Sequence, residues 1–262
     1  MTEYDYPVVI PARWASTRFP GKVLHPISGR PMLAHVVDRA RESGATRVIV
    51  ASESTTVLEA ARSFGVEGCL TSPAHASGTD RIGEVADRMG WDDETLVVNL
   101  QGDEPLMPGS LVEQCALLLA RTSTASMATL GVALHARDDF SNPNIVKIVT
   151  DIRGHALYFS RAPIPFPRGD PGQAEGSSRV RGALRHVGLY AYRVGALRRL
   201  VREPPCELEQ IERLEQLRAL WIGIGIAVES ARTIPGPSID EPGDIARAEA
   251  WLDAGHLLSA GT

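Results

Sequence analysis

The sequence is poor in aromatic residues, and it holds few cysteines, no long apolar run and no excess of positive charge. Aromatics make up 5% of the 262 residues, so the core has to be built from Ala, Val, Leu and Ile. The three cysteines, Cys69, Cys115 and Cys206, are odd in number and widely spaced, without a Cys-x-x-Cys pair. That argues against a disulfide framework or a cysteine zinc site and predicts buried free thiols. No stretch approaches the roughly 18 consecutive apolar residues of a membrane span. The opening MTEYDYPVVIPAR has no apolar segment of signal-peptide length. The expectation is a cytoplasmic protein with no membrane partner. A net charge of -5 gives no general reason to bind nucleic acid, so an anionic ligand would need a local group of basic residues. Neither the Walker phosphate loop nor the glycine fingerprint of dinucleotide-binding folds is present.

What is there is ordinary for a folded chain, 44% hydrophobic and 23% charged. Its length suits a single α/β domain. Short apolar runs alternate with helical patterns from the start. Pro7 to Ile10 (PVVI), Arg47 to Ala51 (RVIVA), Glu67 to Leu70 and Thr95 to Leu100 (TLVVNL) read as strands. Between them Pro31 to Ser43, Thr55 to Phe64 and Gly78 to Met89 read as helices, the first stopped by Gly44 and the second by Gly65. Strands separated by such helices pair in parallel through right-handed crossovers. The fold class expected is therefore α/β with a doubly wound, mostly parallel sheet. Ligands of such sheets bind beyond the carboxyl ends of the strands, which picks out the loops after Ile10, Ala51 and Leu100.

The middle of the chain changes character. Ser126 to Leu134, Asn144 to Thr150 and Val187 to Arg193 read as strands, and the turn at Asp151 to Gly154 before HALYFSR reads as a hairpin. Residues 163 to 181, rich in Pro, Gly and Ser, read as a mobile loop. Leu208 to Leu220 reads as one helix, and a last helix begins near Pro242. The division expected is a single domain over 1–262. Its core is 1–131 and 206–262, with a smaller mixed α+β lobe at 132–205.

Three segments carry chemistry. PARWASTRFPGK, following the first strand, brings Arg13, Arg18 and Lys22 into one loop. Guanidinium groups give bidentate donors to phosphate, lysine gives a compact charge, and loop N–H groups add further anion capacity. Asp103 in QGDEP, just past the TLVVNL strand, faces the same mouth; with Asp240 in PGPSIDEP it makes a pair of hard oxygen ligands suited to a divalent ion. Each aspartate also has a plainer reading, as a helix N-cap. HASGTDR offers Ser77 and Thr79 as helix caps and open backbone for the edge of a base. Arg161, His186 and Glu215 are polar residues set in apolar patterns.

PARWASTRFPGK, SGTDR, NLQGDEP, NPNIVKIV, ALYFSRAPIP, RHVGLYAYR, ERLEQLRALW and PGPSIDEPGDI occur in this order. Together they make the chain, from Val8 to Trp251, closely resemble the 3-deoxy-manno-octulosonate (Kdo) cytidylyltransferases. The resemblance implies a fold of the nucleotide-diphospho-sugar transferase type and a homodimer formed through the smaller lobe. It also implies coupling of CTP to Kdo, with release of pyrophosphate, for lipopolysaccharide biosynthesis. It implies that Arg13, Arg18 and Lys22 contact the triphosphate, with Pro11, Ala12, Ser77, Gly78, Thr79 and Gln101 also at the nucleotide. Asp103 and Asp240 are implied to hold Mg2+, which with Lys22 and Arg13 makes the catalytic set. Gln101, Arg161, His186, Tyr190 and Glu215 are implied to bind the sugar, Arg161 pairing with its carboxylate. Two positions depart from the family pattern: Ser52-Glu53 stands where Thr-Asp is usual, and Ala74 where Asp is common. The alternatives are a related acid sugar (8-amino-Kdo or sialic acid) and a catalytically inactive sugar-nucleotide binder. A retaining glycosyltransferase would carry an Asp-x-Asp motif after a core strand, and none is seen.

Overall fold

The computed structural model describes residues 4–14, 19–134, 136–166, 168 and 182–255. Four parallel strands form one half of the central sheet: β1 (Pro7–Pro11), β4 (Arg47–Ser52), β5 (Glu67–Leu70) and β6 (Leu96–Asn99). Between β1 and β4 lie the short hairpin of β2 (Pro26–Ile27) and β3 (Arg30–Pro31) and helix α1 (Met32–Glu42). Helices α2 (Thr55–Ser63) and α3 (Gly78–Arg88) make the next crossovers. The other half holds β7 (Met127–Ala133), β10 (Leu184–Arg193) and β11 (Ile226–Ser230). The strand order is β11-β7-β10-β6-β1-β4-β5, with β10 antiparallel to both neighbours. The chain runs outward from β1 through β4 to β5 and then returns to lay β6 on the other flank of β1. The switch in winding thus falls at β1.

Alternation along the buried strands sorts the core into two layers. Val8, Ile10, Val50 and Val98 face α1, α2 and α4 (Gly109–Arg121), while Val9, Ile49, Ala51 and Val97 face α3 and α6 (Val194–Arg202). A third cluster, Phe19, Ile27, Met32, Leu106 and Ile239, packs against Ala248 of α9 (Ile245–Asp253). This ties the C-terminal helix to the loop after β1. Cys69, Cys115 and Cys206 are buried and free, as expected.

The hairpin expected in the middle is β8 (Lys147–Thr150) with β9 (Ala156–Ser160), antiparallel, reaching the sheet through the start of β10. Short helix α5 (Arg137–Ser141) precedes it. The stretch 132–205 set apart as a lobe therefore spans both this hairpin and β10, which lies inside the central sheet. Of the loop expected at 163–181, residues 167 and 169–181 lie outside the described residues. The single helix expected at Leu208 to Leu220 is instead two, α7 (Glu207–Glu212) and α8 (Gln216–Trp221). The break is Arg213 at φ 54, in the left-handed region. α4, α6 and β11 are further elements that the pattern reading left out. Among the described residues no helix is long and apolar enough to cross a membrane.

Candidate active site

The three loops at the carboxyl ends of β1, β4 and β6 lie side by side, joined by backbone hydrogen bonds. The Ala12 N–H donates to Ala51 O at 2.9 Å, and the Gly102 N–H donates to Pro11 O at 3.3 Å. Glycine is needed at 102 because a Cβ there would stand 3.0 Å from Pro11 O and 3.4 Å from Ala12 Cα. At Gly78 a Cβ would meet Pro11 and the Gln101 side-chain oxygen at 3.2 and 3.3 Å. Pro11, Ala12, Gly78 and Gln101 are thus brought into one wall.

Lys22 crosses this mouth. It follows the left-handed Gly21 in a 310 turn (Lys22–Leu24) and is 7% exposed. Its Nζ donates to Asp103 Oδ2 at 2.7 Å and to Ile239 O at 3.0 Å. The Ile239 N–H in turn donates to Asp103 O at 3.3 Å. Segments far apart in the chain, at 22, 103 and 239–240, therefore meet around one ammonium. Arg13 is exposed at the rim, its Nη1 donating to Ala76 O at 3.1 Å. Arg18 lies outside the described residues.

Neither aspartate is a helix cap. The residue before α4 is Pro108, with no side-chain cap, and the capping box ahead of α9 is Glu241 with Asp244. Asp103 and Asp240 both act on Glu104, whose carboxyl is pushed up to about 8 by burial and then by these two charges, against a Ser238 hydrogen bond and Lys22. Burial and the neighbouring carboxylates thus act together at this mouth, and Asp103 Oδ1 has no protein partner among the described residues. Two hard carboxylates in that setting fit a magnesium ion. Among the described residues no group of three or more His, Cys, Asp or Glu converges on a metal position. An ion would therefore complete its shell with substrate oxygens and water.

Behind the mouth a polar chain runs from the base wall toward the second lobe. Ser77 caps α3 in a box with Asp80 (2.9 and 3.1 Å). Glu215 sits at the start of α8; burial raises its pKa while hydrogen bonds from Thr79 and Ser77 oppose the rise. Thr79 and Asn99 oppose the rise that burial gives the Tyr192 hydroxyl, and Gln101 Nε2 donates to Asn99 Oδ1 at 3.0 Å. Asn99 and Tyr192 were absent from the expected set; their signal is a polar group at the buried end of an apolar strand.

His186 packs between Phe159 and Tyr190, with ring centroids at 5.4 and 5.3 Å, and its Nε2 is buried with no partner among the described residues. Burial pushes its pKa down to about 3, so the imidazole is neutral near pH 7. It suits a hydrogen bond to a ligand hydroxyl better than proton abstraction. Arg161, after β9, donates from Nε to Glu212 O at 2.8 Å and from Nη1 to Pro143 O at 3.0 Å.

The departure at Glu53 has a structural role. Glu53 Oε1 accepts the Trp14 N–H at 2.9 Å, and Oε2 pairs with Arg81 Nη2 at 2.9 Å. Arg81 is 1% exposed and also donates to the Thr71 hydroxyl. This buried pair anchors the loop after β1 to α3. The position of Ala74 is shaped by its N–H donating to Ser72 Oγ at 3.2 Å.

The cytidylyltransferase family pattern matches residues 8–230. A 3-deoxy-manno-octulosonate cytidylyltransferase from Alkalilimnicola ehrlichii is 52% identical over 248 residues, 94% of this chain and 96% of that protein. A solved structure of CMP:2-keto-3-deoxy-manno-octonic acid synthetase complexed with CTP superposes with a TM-score of 0.87 at 37% identity. The match covers 96% of this chain and all of that one. A cytidylyltransferase from Leptospira borgpetersenii matches at TM-score 0.59 and 15% identity over 98% of both chains, a likeness of fold alone.

Proposed function

This chain belongs to the cytidylyltransferase family, and we propose that it couples CTP to Kdo, giving CMP-Kdo and pyrophosphate. The observation that carries the reading is Lys22 joined to Asp103 and Ile239, which gathers the cationic loop and both acids at the switch point of the sheet. The substrate reading is supported by the relatives named above.

Both reactants are anions, so positioning and charge neutralisation govern the rate more than covalent catalysis. Lys22 and Arg13 take the phosphates, and Arg18 completes that loop. Pro11, Ala12, Ser77, Gly78, Thr79 and Gln101 enclose the nucleotide. Asp103 and Asp240 would hold magnesium, which would supply Lewis acidity to phosphoryl transfer. Gln101, His186, Tyr190 and Glu215 orient the sugar, and Arg161 takes its carboxylate, so that the anomeric hydroxyl faces the α-phosphorus in line with the departing pyrophosphate. The neutral His186 accepts or donates a hydrogen bond without competing for a proton. Exposed Ile152, Leu157, Ile211 and Trp221 around the hairpin and α7–α8 supply apolar area for a homodimer. The setting is the cytoplasm and the pathway lipopolysaccharide biosynthesis.

Pyrophosphate release with each of the four nucleoside triphosphates against Kdo, 8-amino-Kdo and sialic acid tests the reading. Turnover is expected with CTP and Kdo. Faster turnover with 8-amino-Kdo or sialic acid would reassign the sugar, and no release with any pair would leave only a binding protein.

A further inference from the structure

Lys147 in β8 is fully buried, and the chemistry above leaves its charge unused. Its ammonium donates to three backbone carbonyls, those of Asn142 at 3.0 Å, Ile145 at 2.6 Å and Arg161 at 2.5 Å. Three N–H groups meet three acceptors, so the donor capacity of the side chain is filled. No carboxylate touches it among the described residues; the charged groups acting on it are Glu212 and Arg161. A buried ammonium loses its hydration, a cost that a methionine of similar length would avoid. Core filling alone does not account for it.

The acceptors indicate what the charge does. Asn142 and Ile145 bracket Pro143, whose carbonyl accepts from Arg161 Nη1 at 3.0 Å. Arg161 Nε donates to Glu212 O at 2.8 Å, and the Arg161 N–H to Glu212 Oε2 at 2.9 Å. Glu212 Oε1 accepts the Ser160 hydroxyl at 2.6 Å. Lys147 therefore fixes the carbonyl of Arg161 and both sides of the segment that grips its guanidinium. Arg161 Nη2 is left without a partner among the described residues. The Glu212 carboxylate is taken by the Ser160 hydroxyl and the Arg161 backbone N–H, so among the described residues neither the Lys147 ammonium nor the Arg161 guanidinium is bonded to a carboxylate.

We propose that Lys147 is a positioning residue for the sugar: it fixes Arg161 with its guanidinium bonded to carbonyls and to no carboxylate, the partner that an acid sugar brings. This rests on the reading of Arg161 as the group that takes the carboxylate. The test is steady-state pyrophosphate release by the full chain carrying Lys147→Gln, Lys147→Met, Arg161→Ala, or Lys147→Gln with Arg161→Ala. Each variant is checked for a wild-type melting profile; Lys147→Gln keeps a donor toward the carbonyls should Lys147→Met fail to fold. Lys147→Gln is expected to raise the KM for Kdo about fivefold and Lys147→Met about tenfold, with the KM for CTP within about twofold. In the Arg161→Ala background Lys147→Gln is expected to add less than about twofold, because both changes remove the same contact. A KM for CTP that rises together with that for Kdo would overturn the proposal. So would an unchanged KM for Kdo in folded Lys147→Gln while Arg161→Ala raises it. If Arg161→Ala itself leaves the KM for Kdo unchanged, the reading of Arg161 fails first and the proposal with it.

Discussion

At the carboxyl ends of β1 and β6, opposite charges meet directly, Lys22 on Asp103 at 2.7 Å; around β8 and β9 the cations Lys147 and Arg161 turn instead onto backbone carbonyls. On the proposed function, the difference follows from what each region would hold. A triphosphate with magnesium carries many charges of both signs, so groups that can exchange partners suit it. A single carboxylate needs one fixed cation with its geometry set in advance. On that reading the first region would exchange partners as a ligand arrives, whereas the second is set by bonds already made within the protein.

The largest effect is expected at Asp103. Asp103→Asn removes a charge that both Lys22 and a bound ion need, and turnover at saturating magnesium should fall about a thousandfold, with the melting temperature nearly unchanged. Near-normal turnover would erase the contrast between the regions. Gly102→Ala should follow, since its Cβ meets backbone that cannot move aside cheaply. The KM for CTP should rise about tenfold, with the KM for Kdo changing less. Glu53→Gln leaves Arg81 buried beside a neutral partner. Urea unfolding should show a loss of about 2 kcal/mol, and CTP should bind more weakly because the Trp14 end of the loop is slackened.

The effect that is smallest at neutral pH sharpens the other side. His186 has a folded pKa of about 3, well below the ordinary value of about 6.5. Between these values the unfolded chain takes up a proton that the folded chain refuses. Stability from this group is therefore complete above about pH 6.5 and falls by about 1.4 kcal/mol per pH unit as the solution becomes more acid. His186→Phe should flatten urea-unfolding stability between about pH 6.5 and 4 relative to the parent. Equal slopes would mean that the imidazole is hydrated.

Much of the nucleotide half was legible because its strands are buried on both faces and read as unbroken apolar runs. β5 falls at Glu67–Leu70 as read, and β4 extends the reading by one residue. The loops after β1 and β6 carry their charges in short segments, so the meeting of Lys22 and Asp103 could be anticipated from topology. The sugar half was less legible. β10 begins at Leu184 rather than Val187 because Arg185 and His186 interrupt its apolar pattern. The break at Arg213 has no glycine to mark it, and ERLEQLR keeps a helical period through it. α4 is buried on much of its surface, which blurs the stripe that would identify it. Lys147 gave no signal at all, since a lysine in a strand pattern ordinarily marks a solvent face. Glu53 read as a departure from a motif; its pairing with Arg81 depends on α3 lying beside the loop, which only the packed structure supplies.

The central claim is that Lys22 and Asp103, far apart in the chain, act as one unit on the triphosphate. Calorimetric binding of CTP with magnesium to the parent, Lys22→Met, Asp103→Asn and the double variant measures their coupling directly. Two groups acting together should give a coupling energy of about 2 kcal/mol, the double variant binding little worse than the weaker single one. Additive losses across the four proteins would contradict a shared site.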